Sequence, residues 1–289
     1  MNPLHDLVPR SFVAFQAHYP WAVFLFPMLA ASCIVSEYLW HRRRGTAGYI
    51  KESFTTLLLA AGRLASRGAS LILIAPIFLW AYDHRLFHLE VNDPWSLALL
   101  FFVVEFFYYW YHRCAHQIRW MWASHSVHHS TTHMNLTAAY RLGWTELFSG
   151  DWLFYLMPVL LGFNPFFVIA ELTVNLSYQF FLHTDAVKSL GPLEWIFNSP
   201  AHHRAHHAMN GSVRDKNFGG ILIIFDRMFG TFAAPEAGET LRYGLHDQAP
   251  SFNPVRVAFA EWRKIWRDVS SASSLREACR VAFLGKGVA

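Results

Sequence analysis

Eleven of the seventeen histidines in this chain lie between His112 and His207, and most fall at helical spacing. They form three clusters: His112-Arg-Cys-Ala-His116, His125-Ser-Val-His128-His129 and His202-His203-Arg-Ala-His206-His207, with a single His183 after a long apolar run. Residues three or four apart on a helix are stacked neighbours, so each cluster can aim two or three imidazoles at one point. A closed zinc site needs about four ligands. Eight or nine imidazoles exceed that and point to two metals.

The apolar residues, 54% of the chain with 26 Phe and 12 Trp, are bunched. Segment 20–40 carries only Glu37 as a charge, and its length is close to the ~20 residues that cross a bilayer core. Segments 54–82, with Arg63 and Arg67, and 95–111, with Glu105 alone, are the next apolar runs. Segment 151–182 is broken by Asn164-Pro165, a turn signal, and reads as a helical hairpin with a short first arm. The expected fold class is therefore all-α: a polytopic membrane helical bundle with a cytoplasmic, histidine-rich helical cap binding two metals. Residues 1–289 read as a single membrane-integrated domain, with the cap at 112–150 and 183–250.

The N-terminus lacks a basic n-region and a cleavage site, so no signal peptide is expected. The basic His41-Arg42-Arg43-Arg44 reads as cytoplasmic by the positive-inside rule. Alternating the spans from there brings every histidine cluster to the cytoplasmic side. Cys33, Cys114 and Cys279 form no CxxC pair and suit a reducing compartment. Cys114, turned away from His112 on a helix, reads as a packing residue. The net charge of +4 suits anionic headgroups, and no aromatic-interleaved basic patch suggests nucleic acid. A C-terminal amphipathic helix is expected at 255–269, lying on the membrane or packed against the cap.

Imidazole alone does not select among iron, copper, zinc and nickel. A cap facing acyl chains meets C–H bonds, whose activation requires a redox metal and dioxygen. Glu105, seven residues before His112 and on the same helix face, can accept a hydrogen bond from a ligand's second nitrogen or pair with Arg63 or Arg67. A metallohydrolase acting on a lipid ester or amide is the alternative. A metal transporter and a non-catalytic scaffold are further readings. The near absence of histidine from the spans argues against transport.

The histidine series resembles the fatty acid hydroxylase/sterol desaturase superfamily of integral-membrane di-iron oxygenases, over about residues 100–233. Supporting stretches are Tyr108 to Arg113, His128 to Ser130, Asn135 to Thr137, Tyr178 to Phe180, His183-Thr184, Leu190 to Glu194, Pro200 to His207, Asp215 to Gly220 and Ile223 to Phe232. Within the superfamily it is most similar to the branch that cleaves glyceryl ethers with tetrahydrobiopterin as reductant. The resemblance implies two iron ions held by His112, His116, His125, His128, His129, His183, His203, His206 and His207. His202, Glu105 and Asn217 would stand behind them, and His133 is left out. It also implies a lipid substrate (ether lipid, fatty acyl or sterol-like) and hydroxylation of a C–H bond. The electrons would come from a pterin, a reductase or a ferredoxin-type protein. The ether-cleaving members tend to carry Glu where this chain has Gln117, and further apolar helices after the cap. Tyr108, Tyr109, Trp144 and Phe180, on or beside ligand-bearing helices, are expected to line an apolar cavity open sideways to lipid.

Overall fold

The computed structural model describes residues 8–236 and 238–284; the ends of the expected single domain lie outside them. Among the described residues all regular structure is helical, with only isolated β-bridges. A short α1 (Arg10–His18) leads through a 3-10 turn at Pro20–Phe24 into α2 (Leu25–Arg43). The 34-residue α3 (Ile50–Asp83) follows, about 51 Å long at 1.5 Å per residue. Pro20–Arg43 and Ile50–Asp83 are the two described helices long and apolar enough to cross a membrane. Their outer faces are bare: Ile72 is 76% exposed, Leu64 74% and Met28 67%.

α4 (Pro94–Gln117) runs unbroken from the apolar segment 95–111 through the first histidine pair. Its start is fixed by Asp93, whose carboxylate accepts from Trp95 N at 2.8 Å and Ser96 N at 3.0 Å, with Pro94 in the first turn where no N–H is needed. α5 (Arg119–His129) follows after the single extended residue Ile118, which turns the chain so that α5 packs back on α4. A one-turn α6 (Glu146–Ser149) precedes α7 (Trp152–Leu161) and α8 (Pro165–Phe180), joined at Asn164-Pro165 as the turn signal predicts. Phe78 and Ala81 of α3, Leu100 and Val104 of α4, Leu156 and Val159 of α7, and Val168 of α8 form the core beneath the histidines.

The later elements are short. α9 (Pro200–His207) carries the last histidine cluster, and α10 is Ile224–Met228. The expected helix 255–269 is broken at Phe259 into α11 (Pro254–Ala258) and α12 (Ala260–Ser270), with α13 (Leu275–Leu284) beyond. α12 packs against α5 and α13: Trp262 Nε1 donates to Thr145 Oγ1 at 2.8 Å, Ile265 is buried, and Asp268 pairs with Arg119 at 2.6 Å. Of the two readings left open for this segment, packing against the cap describes its apolar face, while Trp266 stands outward at 75% exposure.

Candidate metal centre

The nine histidines named from the resemblance form two groups. His112, His116, His125, His129 and His206 make one; His128, His183, His203 and His207 make the other. Within each group the ligand-capable atoms lie within 4.8 Å of one another. The groups abut, with the His129 and His207 rings stacked at 4.3 Å between centroids.

The spacing H-x2-H-H explains how one short helix serves both groups. On α5, His125 and His129 are one turn apart and join the pair from α4, while His128, about 100° round the helix, faces the other group. On α9 the pattern is exchanged: His203 and His207 join His183, and His206 crosses to the α4 side. Ser199 caps α9, accepting from His202 N at 3.3 Å, with Pro200 in its first turn.

All nine imidazoles sit in protein. Burial drives their pKa values down, in most cases helped by the neighbouring imidazoles; His183 and His206 fall to about 4. They are therefore neutral, and hydrogen bonds fix the tautomer of several. Nδ1 of His112 faces Phe218 O at 2.9 Å, Nδ1 of His183 faces Gln179 O at 2.7 Å, Nδ1 of His206 faces Lys216 O at 2.8 Å and Nδ1 of His128 faces Arg141 O at 3.3 Å. A carbonyl only accepts, so these Nδ1 atoms carry the proton and their Nε2 atoms carry a lone pair. Yet Nε2 of His128 and Nε2 of His183 are 3.1 Å apart. Two lone pairs at that distance repel unless a cation lies between them. Nitrogens held about 2.0–2.1 Å from one ion and about 90–100° apart are separated by about 3 Å. The other Nε2 contacts, His112 to His125, His116 to His129, His129 to His125, His203 to His183 and His207 to His203, span 2.9–3.2 Å. Nε2 of His206 is buried without a partner. The residues present thus fit metal ions on both sides.

The segment after α9 supplies the partners that hold several of these rings. Asp215 and Asn217 both adopt left-handed backbone conformations, φ 56° and 60°, which turns the Lys216 and Phe218 carbonyls toward His206 and His112. Asp215 itself faces His116 Nδ1 at 3.1 Å. Asp226 clamps the segment, accepting from Phe218 N at 2.8 Å, Gly219 N at 2.7 Å and Thr231 Oγ1 at 2.7 Å. Sequence reasoning missed Asp215 and Asp226 as supports. Asp226 carried a signal, being the one acid in the apolar run Ile223–Phe232.

Several expectations are corrected. Glu105 reaches no histidine and no arginine. It accepts from Ile221 N at 2.9 Å, Leu222 N at 2.8 Å and the Asn175 amide, so it positions the loop after the centre. Arg63 pairs with Glu146 instead. The Asn217 amide donates to His202 O at 3.2 Å and Ala233 O at 2.8 Å and accepts from Ala233 N at 3.0 Å, so it ties the loop to α9 and to Ala233. His202 lies outside both groups, its ring edge-on to Phe232 at 5.2 Å. Cys114 also lies outside both groups.

The residues expected at a lipid-side cavity are packed. Tyr108 covers the His112 ring and donates to Gln179 Oε1 at 2.8 Å; Tyr109 bonds Thr231 Oγ1 at 2.9 Å. Trp144 donates to Leu59 O at 2.8 Å, and Phe180 packs with Ala30 and Leu136. Helix periodicity placed them near the ligands but carries no information on free space. The cavity that reaches the histidines, about 330 Å³, opens from the cap side. It touches His116, His129, His206 and His207, and its lining also includes Arg214, Asp215, Asp247 and Glu261.

Residues 97–231 match the family model for fatty acid hydroxylases. Among curated proteins it is similar to the alkylglycerol monooxygenase of Homo sapiens, 35% identical over 268 residues, covering 91% of this chain and 58% of that protein. The alkylglycerol monooxygenase of Xenopus tropicalis is 38% identical over 269 residues, 92% of this chain and 58% of the relative. The ornithine lipid hydroxylase OlsE of Rhizobium tropici is 28% identical over 165 residues, 53% of this chain and 47% of the relative. The chain thus spans 58% of the length of the first two. No solved structure matches it.

Proposed function

We propose that this protein is a membrane-bound, non-haem di-iron oxygenase that hydroxylates a C–H bond of a lipid in an O2-dependent reaction. The observation that carries the reading is the pair His128 and His183, whose Nε2 lone pairs face each other at 3.1 Å within one of two abutting imidazole groups. The match of residues 97–231 to the fatty acid hydroxylase model turns paired metals toward oxygenase chemistry. Bound iron would supply dioxygen activation and insertion of one oxygen atom into the C–H bond.

The chain's own residues do the rest. The carbonyls of Gln179, Arg141, Lys216 and Phe218 orient four of the imidazoles through Nδ1. Glu105 and Asp226 hold the loop that provides two of those carbonyls. The cap-side cavity is of a size to admit a small polar electron donor such as a pterin beside His116 and His206, whereas a reductase or ferredoxin-type protein would dock on the cap surface. An ether lipid is the first substrate class to test, as the names of the similar proteins suggest.

In this reading the chain is a single membrane-integrated, multi-pass unit. The exposed apolar faces of α2 and α3 would contact lipid, and Arg42, Arg43 and Arg44 at the end of α2 support a cytoplasmic metal side by the positive-inside rule. The charged side chains in the lining of the cavity favour a second reading, a zinc metallohydrolase cleaving a lipid ester or amide. Catalytic zinc, however, uses three protein ligands and keeps a position open, fewer than either imidazole group offers. Anaerobic metal analysis of detergent-purified protein, with lipidomics of cells with and without it, tests the proposal. About two irons per chain and an O2-dependent lipid product are expected. Zinc content with product formation under nitrogen would transfer the assignment to the hydrolase.

A further inference from the structure

Glu37 is the single charge in the apolar segment 20–40, and the proposed chemistry does not use it. An acid in such a segment is costly to bury and is a functional candidate by default. It stands one turn before His41 on α2, and both meet Asp185, two residues beyond His183. The three offer ligand-capable atoms within 4.8 Å of one another.

Glu37 is buried and accepts only from neutral donors, Leu136 N at 2.7 Å and Thr184 Oγ1 at 2.5 Å. Among the described residues, Asp185 has one ion-pair partner, His41, whose Nε2 is 3.1 Å from Asp185 Oδ1. The nearby Arg204 guanidinium is occupied by the carbonyls of Thr184, Val187 and Lys188. His41 is 5% exposed. Its Nδ1 lies 2.9 Å from Thr46 Oγ1, and that hydroxyl donates to His41 O at 3.3 Å, so Nδ1 holds the proton that Thr46 accepts. In the neutral ring, Nε2 is then a lone pair aimed at a carboxylate oxygen. Both atoms are buried and lack a hydrogen-bond partner. The Tyr49 hydroxyl is likewise buried without a partner. Burial and the two carboxylates push that phenol up to about 12. Two carboxylates converging on one buried imidazole, with the Arg204 guanidinium turned to carbonyls and the Tyr49 hydroxyl unpartnered, form a hole of the right sign for a dication.

We infer that Glu37, His41 and Asp185 bind a third divalent cation, separate from the paired histidine groups. One imidazole with two carboxylates is a donor set that Zn2+ accepts, and the 3.1 Å contact is the spacing of two adjacent ligands on one ion. The ion ties the end of α2 to the segment that follows His183, while Glu37 already tethers α2 to Leu136 and Thr184. The inference goes beyond the oxygenase reading and does not depend on iron.

The test is Zn2+ titration of the iron-loaded full chain in detergent. Bound zinc and iron are measured separately by elemental analysis, with thermal unfolding in parallel. One saturable zinc per chain is expected, raising the unfolding temperature without displacing iron. His41→Gln and Asp185→Asn should each weaken it by at least about 10–100-fold, the loss typical of removing even an outer partner of a ligand. Both should keep the iron of the wild type. The double variant His203→Ala/His206→Ala should lose iron and keep the zinc. The inference is overturned if the wild type takes up no such zinc, if both single variants still bind it as tightly, or if it vanishes with the iron. In those cases the cluster is a protonated His41 paired with Asp185.

Discussion

Because α5 and α9 each feed both imidazole groups, ligand losses should sort by group and not by helix. His206 and His203 are neighbours on α9 yet belong to different groups, whereas His206 and His116 belong to the same group from different helices. A structural four-ligand zinc binds with an apparent ~10–16 kcal/mol, or roughly 2.5–4 kcal/mol per ligand, and we take the same order for iron. Removing one ligand should then weaken its ion by about 100-fold or more. His206→Ala leaves four imidazoles in its group, and His206→Ala/His116→Ala leaves three. Both changes leave the group of His128, His183, His203 and His207 complete. The expectation is that His206→Ala/His116→Ala retains about one iron per chain after exhaustive chelator dialysis. His206→Ala/His203→Ala, which damages both groups, should retain almost none. Lipid product should be absent from both. The assay is elemental analysis, with circular dichroism to establish that the variants remain helical. If both double variants lost the same iron while folded, or if the α9 pair kept one equivalent and the other pair none, the two-group assignment would be refuted.

Three further outcomes follow from the same geometry. Glu105→Ala strands the Ile221 and Leu222 amides and the Asn175 amide; at ~1–3 kcal/mol for each unmet donor it should destabilise by about 3 kcal/mol or more, read as an earlier denaturant midpoint. An unchanged midpoint would remove Glu105 from its loop-holding role. Gly62→Ala would put a Cβ 2.4 Å from the Trp144 indole, so the ring must move off its bond to Leu59 O, at roughly 1–3 kcal/mol in thermal stability; a neutral result would mean that α3 and Trp144 do not pack this tightly. His133 is held charged by its bond to Glu52, which raises its pKa. That stabilisation is complete below the unfolded value of about 6.5 and fades as pH rises through the raised folded value. With the side chain 49% exposed it should amount to less than about 1 kcal/mol. His133→Gln should flatten the pH dependence of thermal stability across that range and leave iron content and activity intact; lost iron would put His133 in the centre.

What could be read from the sequence and what could not divide along a physical line. Helical spacing is local, so His112/His116, His125/His129 and His203/His207 announce themselves as one-turn pairs. Asn164-Pro165 announces the break between α7 and α8 for the same reason. The sharing of ligands between groups is tertiary: nothing in H-x2-H-H says that His128 turns to His183 or His206 to α4. Backbone acceptors are silent in a sequence, which is why the Lys216 and Phe218 carbonyls went unseen. Glu105 was recognisable as significant, because a lone acid among apolar residues needs partners, but those partners proved to be backbone amides more than a hundred residues away. Tyr109 and Trp144 show the converse limit. Proximity to the ligands was inferable, whereas free space depends on how every neighbour packs.

The exchange of ligands between α5 and α9 also bears on how the centre is filled. Each of these helices is a rigid rod with rings in both groups, so whichever ion arrives first immobilises both rods and leaves the second set of rings already in place. The ordering entropy falls mainly on the first binding event, and the second ion meets a prepared site. Loading should therefore be cooperative. At half-saturating iron the population should favour empty and doubly filled chains over chains holding one ion, and partly loaded preparations should look like mixtures of two species.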